Sequence, residues 1–207
     1  SNERCSFTID DYPVVQIDAN AMILCLLSSL TGKPMNMIGS FKDVYQPVVS
    51  QIPNIANSRD KVKQVIMDLV GSGDPYKEKP FSDGEILDHV GEYIQIRDLC
   101  LQAYPALKCL NKERFNFIND LSYHEADILT RTLLHLKQIG VVAYPECGGL
   151  IVRLGDEFNA VETLKKVFKD YVYSFQKLNK LPELYLDIAL TVQFDLVNKV
   201  RVEGSSS

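Results

Sequence analysis

Apolar residues near the start of the chain change from a strand-like to a helix-like pattern. Val14-Val15-Gln16-Ile17 is a short β-type run that ends at Asp18. Residues 21–30 are mostly apolar and are followed by Thr31-Gly32-Lys33-Pro34. Because a glycine followed by a proline is a common end of a helix, the pattern predicts a strand, an acidic residue and then a buried helix.

Further helices are predicted in the middle of the chain. Residues 43–51 favour a short helix, and Ser58 is a suitable N-cap for the next one. That helix ends at Gly71-Ser72-Gly73, and residues 84–101 predict another helix after a polar linker. The apolar positions of the helix after Ser58 recur at i, i+3 and i+4. They are Val62, Val65, Ile66, Leu69 and Val70.

A long helix followed by a hairpin is predicted in the second half of the chain. The helix covers about residues 123–139, with Gly140 at its C-terminal cap. Apolar runs at residues 141–144 and 150–154 flank the segment Pro145-Glu146-Cys147-Gly148-Gly149. Two apolar runs around a short segment rich in proline and glycine are typical of a β-hairpin.

The remaining segments complete the predicted fold. Another helix starts at Gly155-Asp156 and runs to about residue 178, whereas residues 184–202 fit either a helix or a strand. Residues 103–109 are irregular, and residues 204–207 are a flexible tail or an expression remnant. We therefore expect an α+β protein, rich in helix, with a small antiparallel sheet, and one core over residues 1–203.

Composition narrows the possible partners. The chain has 207 residues, of which 46% are hydrophobic, enough for a substantial core. The net charge of −5 argues against a protein that holds nucleic acid by bulk positive potential. A local basic channel, or a basic partner chain, remains compatible with this charge.

The cysteines and apolar runs indicate the compartment. Five cysteines occur at irregular spacing without a C-x-x-C pair, which disfavours a structural zinc site. This usage indicates a reducing intracellular compartment such as the cytoplasm, which for a virus-encoded protein is that of the host cell. The longest apolar run, residues 21–27, is too short to span a bilayer, so no membrane association is expected.

Three features are candidates for chemistry. Asp18 ends a strand and can hold a divalent metal, although such an aspartate, taken alone, is more often a helix N-cap. Arg59 and Lys63 are four residues apart on one helix, so both cations lie on one face and suit a polyphosphate. The alternative is an ordinary solvated face balanced by Asp60 and Asp68. Glu146, at the predicted hairpin, can approach a carboxylate on an adjacent strand, or simply lie in a surface turn.

The order of these features resembles the family A DNA polymerases and the phage and mitochondrial type RNA polymerases. Residues 18–33 resemble motif A, an aspartate followed by an apolar helix, and Asp43-Val44-Tyr45 stands where the family has an acidic-apolar-aromatic helix. Residues 59–72 resemble motif B, in which the Arg and Lys meet the phosphates of the incoming nucleotide. Residues 125–129 resemble the helix before motif C, and residues 150–172 the strand and helix after it.

The resemblance, which covers about residues 14–172, implies a template-directed nucleotidyltransferase with a palm-and-fingers core, its fingers-like part at about residues 43–110. It implies Mg²⁺ as cofactor, and nucleic acid and a nucleoside triphosphate as ligands. Because motif A begins so early, three explanations are open: the sequence is a fragment, a partner chain supplies the N-terminal and thumb regions as in a split RNA polymerase, or the fold has been reduced to another function. The site residues that the resemblance implies are Asp18 and Glu146 for catalysis and metal binding, and Arg59, Lys63 and Gly71 for nucleotide binding.

The sequence also departs from the family pattern. Asn20-Ala21-Met22 replaces the motif A residues from which a preference for one nucleotide sugar would be inferred. In the segment that resembles motif B, Val70 stands at the position of the family's tyrosine, and the spacing is one residue shorter. The His-Asp pair of motif C is replaced by residues 145–149, and counting from Gly140 puts Gly149 at the position of the aspartate. Two alternatives therefore remain open: a polymerase-derived subunit that lost catalysis and binds nucleic acid or a partner protein, and an unrelated helical interaction domain.

Overall fold

The computed structural model has a helix-rich α+β fold with one small antiparallel sheet. It describes residues 8–35, 43–80, 90–111, 117–146, 148–184 and 188–193. In chain order the elements are β1 (Thr8–Ile9), β2 (Tyr12–Asn20), α1 (Met22–Thr31), α2 (Gln46–Val49), α3 (Ser58–Ser72), α4 (Val90–Ala103), a 3₁₀ helix (Pro105–Cys109), α5 (Phe117–Gln138), β3 (Ala143–Glu146), β4 (Gly149–Arg153), α6 (Glu157–Leu178) and β5 (Ala189–Gln193).

The chain forms two compact units. The first comprises residues 1–22, 125–171 and 187–207 and contains the sheet. The second comprises residues 23–124 and 172–186 and is built from helices in its described part. The predicted single core over residues 1–203 covers both units, and the fingers-like segment, residues 43–110, lies inside the second.

The sheet of the first unit has β2 at its centre. The strand order is β1-β2-β4-β3, and β5 also pairs with β2. All four pairings are antiparallel. Without β1 and the helices of the second unit, the order along the chain is β2-α5-β3-β4-α6-β5, which is the split β-α-β arrangement. β2 is therefore held by hydrogen bonds on both sides.

The two faces of the sheet differ in polarity because side chains alternate along each strand. Val15 and Ile17 on β2 and Leu150 and Val152 on β4 are fully buried and form the apolar face. The opposite face carries Gln16, Asp18, Ile151 and Arg153, all of them partly exposed. This alternation fixes the register, since a slip by one residue would expose the apolar set.

The second unit packs α3 against α4. Their buried side chains include Val62, Val65, Leu69, Ile96 and Cys100. The Tyr104 hydroxyl, after α4, donates a 2.8 Å hydrogen bond to the carbonyl oxygen of Val44. Lys61 and Glu92 form a largely buried ion pair of 2.5 Å between the two helices.

Most of the predicted elements are confirmed, and the differences have local causes. The helix predicted at residues 43–51 is confined to α2, because the Asp43 carboxylate accepts a hydrogen bond from the Tyr45 amide and shapes a turn there. Ser58 is the first residue of α3 rather than its N-cap, which is Asn57 in a left-handed conformation. α5 begins at Phe117 instead of Tyr123, and the buried Leu121 extends its apolar face upstream.

Three other predicted segments are clarified. The irregular residues 103–109 include the 3₁₀ helix, and the segment after residue 184 contains the strand β5. The predicted helix start at residues 84–89, the part of the last segment after Gln193, and the tail at 204–207 lie outside the described residues. Among the described helices, none combines the length and apolar character that crossing a membrane requires.

Candidate functional site

Asp18 lies inside the central strand of the sheet. It pairs with Gly149 on β4 and with Thr191 on β5. β2 continues to Asn20 before α1 begins at Met22, so Asp18 is not the N-cap of that helix. The interpretation that a lone aspartate favours, a helix cap, is therefore wrong at this position.

Glu146 occupies the same row of the sheet as Asp18. It is the last residue of β3 and pairs with Gly149, which in turn pairs with Asp18. Directly paired residues of antiparallel strands project from the same face, so the two acidic side chains share one face. Two strand spacings separate their Cα atoms by about 10 Å.

Gly149 keeps the space between these two acids free of a side chain. A Cβ at this position would lie 2.1 Å from the carbonyl oxygen of Ile17, so the close approach of β4 to β2 admits only glycine. This close approach explains why residue 149, to which the count assigns the aspartate of motif C, is a glycine in this chain. Glu146 is the acid from the hairpin that shares a row with Asp18.

Gly148 lies in a turn directly before β4 and has a positive φ of 73°. Its carbonyl oxygen accepts a 2.9 Å hydrogen bond from the Ala19 amide, which ties the turn to β2. A Cβ placed on Gly148 would lie 3.6 Å from Glu125 Oε1 and 3.8 Å from Asp18 Oδ1. Two carboxylates therefore converge on the turn, one from β2 and one from α5.

Glu125 is a site residue that we did not predict from the sequence. Burial raises the pKa of its carboxyl group above the ordinary value for glutamate. It shares a helical face with the buried residues Leu129, Thr132 and Leu136, at spacings of four, seven and eleven. An acidic residue on the apolar face of an amphipathic helix was the available signal.

The row of acids has the chemistry of a hard-cation site. Carboxylate oxygens are the ligands that Mg²⁺ prefers in proteins, and the glycine between Asp18 and Glu146 leaves room for an ion. Within the described residues, no three His, Cys, Asp or Glu side chains are grouped as ligands of one metal ion. The other acid near the hairpin, Asp156, is engaged by Arg153 Nε at 2.9 Å. It immediately precedes α6, which begins at Glu157 rather than at the predicted Gly155-Asp156.

The two cations predicted to bind phosphate lie on the exposed face of α3. Arg59 is in the first turn and Lys63 follows one turn later. Arg59 Nε donates a 2.7 Å hydrogen bond to Asp43 Oδ2, and its guanidinium lies 5.0 Å from the centre of the Tyr45 ring. The hydrogen bond to Asp43 is the main reason why the pKa of Arg59 is raised. Asp60, one of the two acids expected to balance the charge, makes a smaller contribution to this raised pKa than Asp43 does.

The rest of the segment that resembles motif B is helical. Gly71 lies in the last turn of α3, and the helix is capped by Gly73 at a positive φ of 63°. Val70, at the position of the tyrosine in motif B, is buried. Tyr76 is 64% exposed and follows the helix. The structure thus places an aliphatic core side chain at the motif B tyrosine position.

The candidate site residues are divided between the two units. Asp18, Glu125 and Glu146 belong to the first unit, and Arg59, Lys63 and Gly71 belong to the second. Comparison of the chain with protein-family models gives no match, and comparison with curated proteins gives none either.

Proposed function

We propose that this chain is the palm-and-fingers core of a template-directed nucleotidyltransferase, related to the single-subunit polymerases. It acts with a partner chain that supplies the N-terminal and thumb regions, as one subunit of a split RNA polymerase. The order of elements supports the proposal. A strand with Asp18, a helix that opens with Arg59 and Lys63, a long helix, a hairpin and another helix follow each other in the order that the resemblance implies.

The row Asp18–Gly149–Glu146 is the observation on which the proposal depends. It puts the two acids that the sequence singled out on one face of the sheet, with no side chain between them. The two acids are far apart in the sequence, so their alignment is a property of the fold. A carboxylate on a central strand and another on an adjacent hairpin suit metal ions that serve phosphoryl transfer.

The proposed cofactor is Mg²⁺, held by Asp18 and Glu146. Protein sites commonly give Mg²⁺ one or two carboxylates and leave the other positions to water and substrate phosphates. When bound, the metal stabilises negative charge on the reacting phosphoryl oxygens. The residues of the chain have two roles: the carboxylates orient the cofactor, and Arg59 and Lys63 offset the charge of the triphosphate.

The proposal is tested by magnesium-dependent nucleotide binding. We expect Asp18→Asn to weaken binding of a fluorescent nucleoside triphosphate by about 10- to 100-fold in the presence of Mg²⁺, because one of two carboxylate ligands is lost. Asp11→Asn is the matched control. It removes the same charge just before the other end of β2, where φ is 64°, a conformation that asparagine tolerates. Equal binding by wild type and Asp18→Asn would refute the metal site.

A second assay separates catalysis from binding. Incorporation of nucleotides on a primed template, with the partner chain present, is expected to require Asp18 and Glu146. If nucleotide binding depends on Asp18 but wild type incorporates nothing, the chain is the binding subunit that has lost catalysis. If wild type shows no magnesium-dependent nucleotide binding, the unrelated interaction domain becomes the better explanation.

A further inference from the structure

The Arg59 side chain is held by two residues that precede α2. Its Nε donates to Asp43 Oδ2 at 2.7 Å, and its Cζ lies over the Tyr45 ring, 5.0 Å from the ring centroid, in a cation–π contact. The other carboxylate oxygen of Asp43, Oδ1, accepts a 3.1 Å hydrogen bond from the Tyr45 amide. The Asp43 carboxylate is therefore held at both of its oxygens, one by Arg59 and the other by the backbone.

The aromatic partner is as firmly held as the carboxylate. Tyr45 is only 5% exposed, so its ring is part of the core of the second unit. The side chain of Arg59 is 46% exposed, so one part of the guanidinium rests on a fixed support while another part faces solvent. The segment at residues 43–45 thus holds the guanidinium through two contacts, a hydrogen bond and a cation–π contact.

The hydrogen bond from Nε leaves the outer edge of the guanidinium available. An arginine has five N–H donors, and four of them are on the two Nη atoms. In the described part of the chain, no hydrogen bond uses an Nη atom of Arg59. The two Nη groups of a planar guanidinium match two oxygens of a phosphate.

We infer that Asp43 is a positioning residue, which holds Arg59 so that its Nη groups meet the phosphates of the bound nucleotide. The inference rests on the proposed function, because it assigns a role toward the same ligand. Its physical basis is preorganisation: an arginine that is already oriented loses less conformational freedom when it binds an anion. A carboxylate that instead competed with phosphate for Arg59 would have the opposite effect, because its removal would strengthen phosphate binding, whereas removal of a positioning residue weakens it.

The experiment measures binding of inorganic tripolyphosphate in magnesium-free buffer, so that the cations are tested without the acidic site. Asp43→Ser is the main variant, because serine can keep the turn hydrogen bond to the Tyr45 amide but is too short to reach Arg59. Asp43→Ala is the second variant. Asp60→Ala is the matched control, since it removes a negative charge next to Arg59 in the same first turn of α3.

The expected pattern is specific to positioning. Arg59→Ala weakens binding by about 10-fold or more, the effect of losing charge-assisted hydrogen bonds. Asp43→Ser and Asp43→Ala weaken binding by about three- to tenfold in the wild-type background, through the freedom that Arg59 regains. In the Arg59→Ala background the same changes at Asp43 have no weakening effect. Asp60→Ala leaves binding unchanged or slightly tighter.

The possible failures are distinguishable. If wild type does not bind tripolyphosphate, or if Arg59→Ala binds as well as wild type, the proposed nucleotide role of α3 fails. If Arg59→Ala weakens binding but both Asp43 variants bind equally or more tightly, Asp43 is a competitor and only the positioning inference fails. If changes at Asp43 weaken binding equally in both backgrounds, Asp43 has a purely structural role, which also overturns the inference.

Discussion

At the scale of single residues, the sequence identifies Asp18 but not Glu125. Asp18 follows a hydrophobic run, so its place on a strand can be predicted from local pattern alone. Glu125 contributes to the same place only because α5 brings it to the turn at Gly148, and no local pattern encodes such an approach. The position of Glu146 also depends on pairing: it was predicted at the hairpin tip, and its pairing with Gly149 makes it the last residue of β3.

The carboxyl group of Glu125 is expected to make stability depend on pH. Burial raises its pKa in the folded protein, so the folded state holds the proton more tightly than the unfolded state. Stability contributed by this group is fully present below the unfolded pKa and falls as the pH rises through the folded pKa. We expect Glu125→Gln to raise the melting temperature relative to wild type at pH 7 in metal-free buffer, with little difference at pH 4. Thermal melts of both proteins at the two pH values measure this, and a destabilised variant at pH 7 would contradict it.

At the scale of elements, the hairpin is predictable but its register with β2 is not. The two apolar runs around Pro145 to Gly149 predict a hairpin, because alternation and turn residues are local signals. The pairing of Asp18 with Gly149 joins segments that are far apart in sequence. This register is fixed because it buries Ile17 directly opposite Leu150. That pairing of apolar residues is evident only when the two strands are placed side by side. The N-cap predicted for α3, Ser58, was wrong for a related reason. Asn57 caps the helix through its left-handed backbone conformation, without a side-chain hydrogen bond.

Gly149→Ala is expected to disrupt the pairing of β2 with β4. The added methyl group would lie 2.1 Å from the carbonyl oxygen of Ile17, so a strand must move, at a cost of about 1–3 kcal/mol or more in the free energy of unfolding. Gly91→Ala is the matched control. Gly91 lies in α4 with nothing within 4 Å of an added Cβ, so the change should stabilise by about 0.5–1 kcal/mol. Urea unfolding of the two variants compares these effects, and a Gly149→Ala protein as stable as wild type would show that the approach of the strands is not rigid.

At the scale of the whole molecule, the fold class follows from the sequence, whereas the function remains a proposal. We predicted a helix-rich α+β chain with a small antiparallel sheet from the apolar runs, the glycines at helix ends and the helical spacing of apolar residues. The structure confirms this prediction. The acidic candidates of the site belong to the first unit and the cationic ones to the second. The net charge constrains the partner more directly. At −5, the chain repels a polyanion except where cations such as Arg59 and Lys63 are exposed.

A prediction about nucleic acid follows from this charge. We expect the chain alone to bind a primed template with a dissociation constant weaker than about 10 µM at physiological salt, in the range of non-specific binding. The slope of log K against log salt should be shallow, about −2 or less steep, because only about two phosphates are neutralised. Fluorescence anisotropy over a series of salt concentrations measures both quantities, and Lys63→Ala is expected to reduce the slope by about 1 if this lysine contacts a phosphate of the strand. A slope corresponding to six or more phosphates would mean that the chain has a basic channel of its own. The partner chain would then not be required to hold the template, because the necessary phosphate contacts would already be present in this chain.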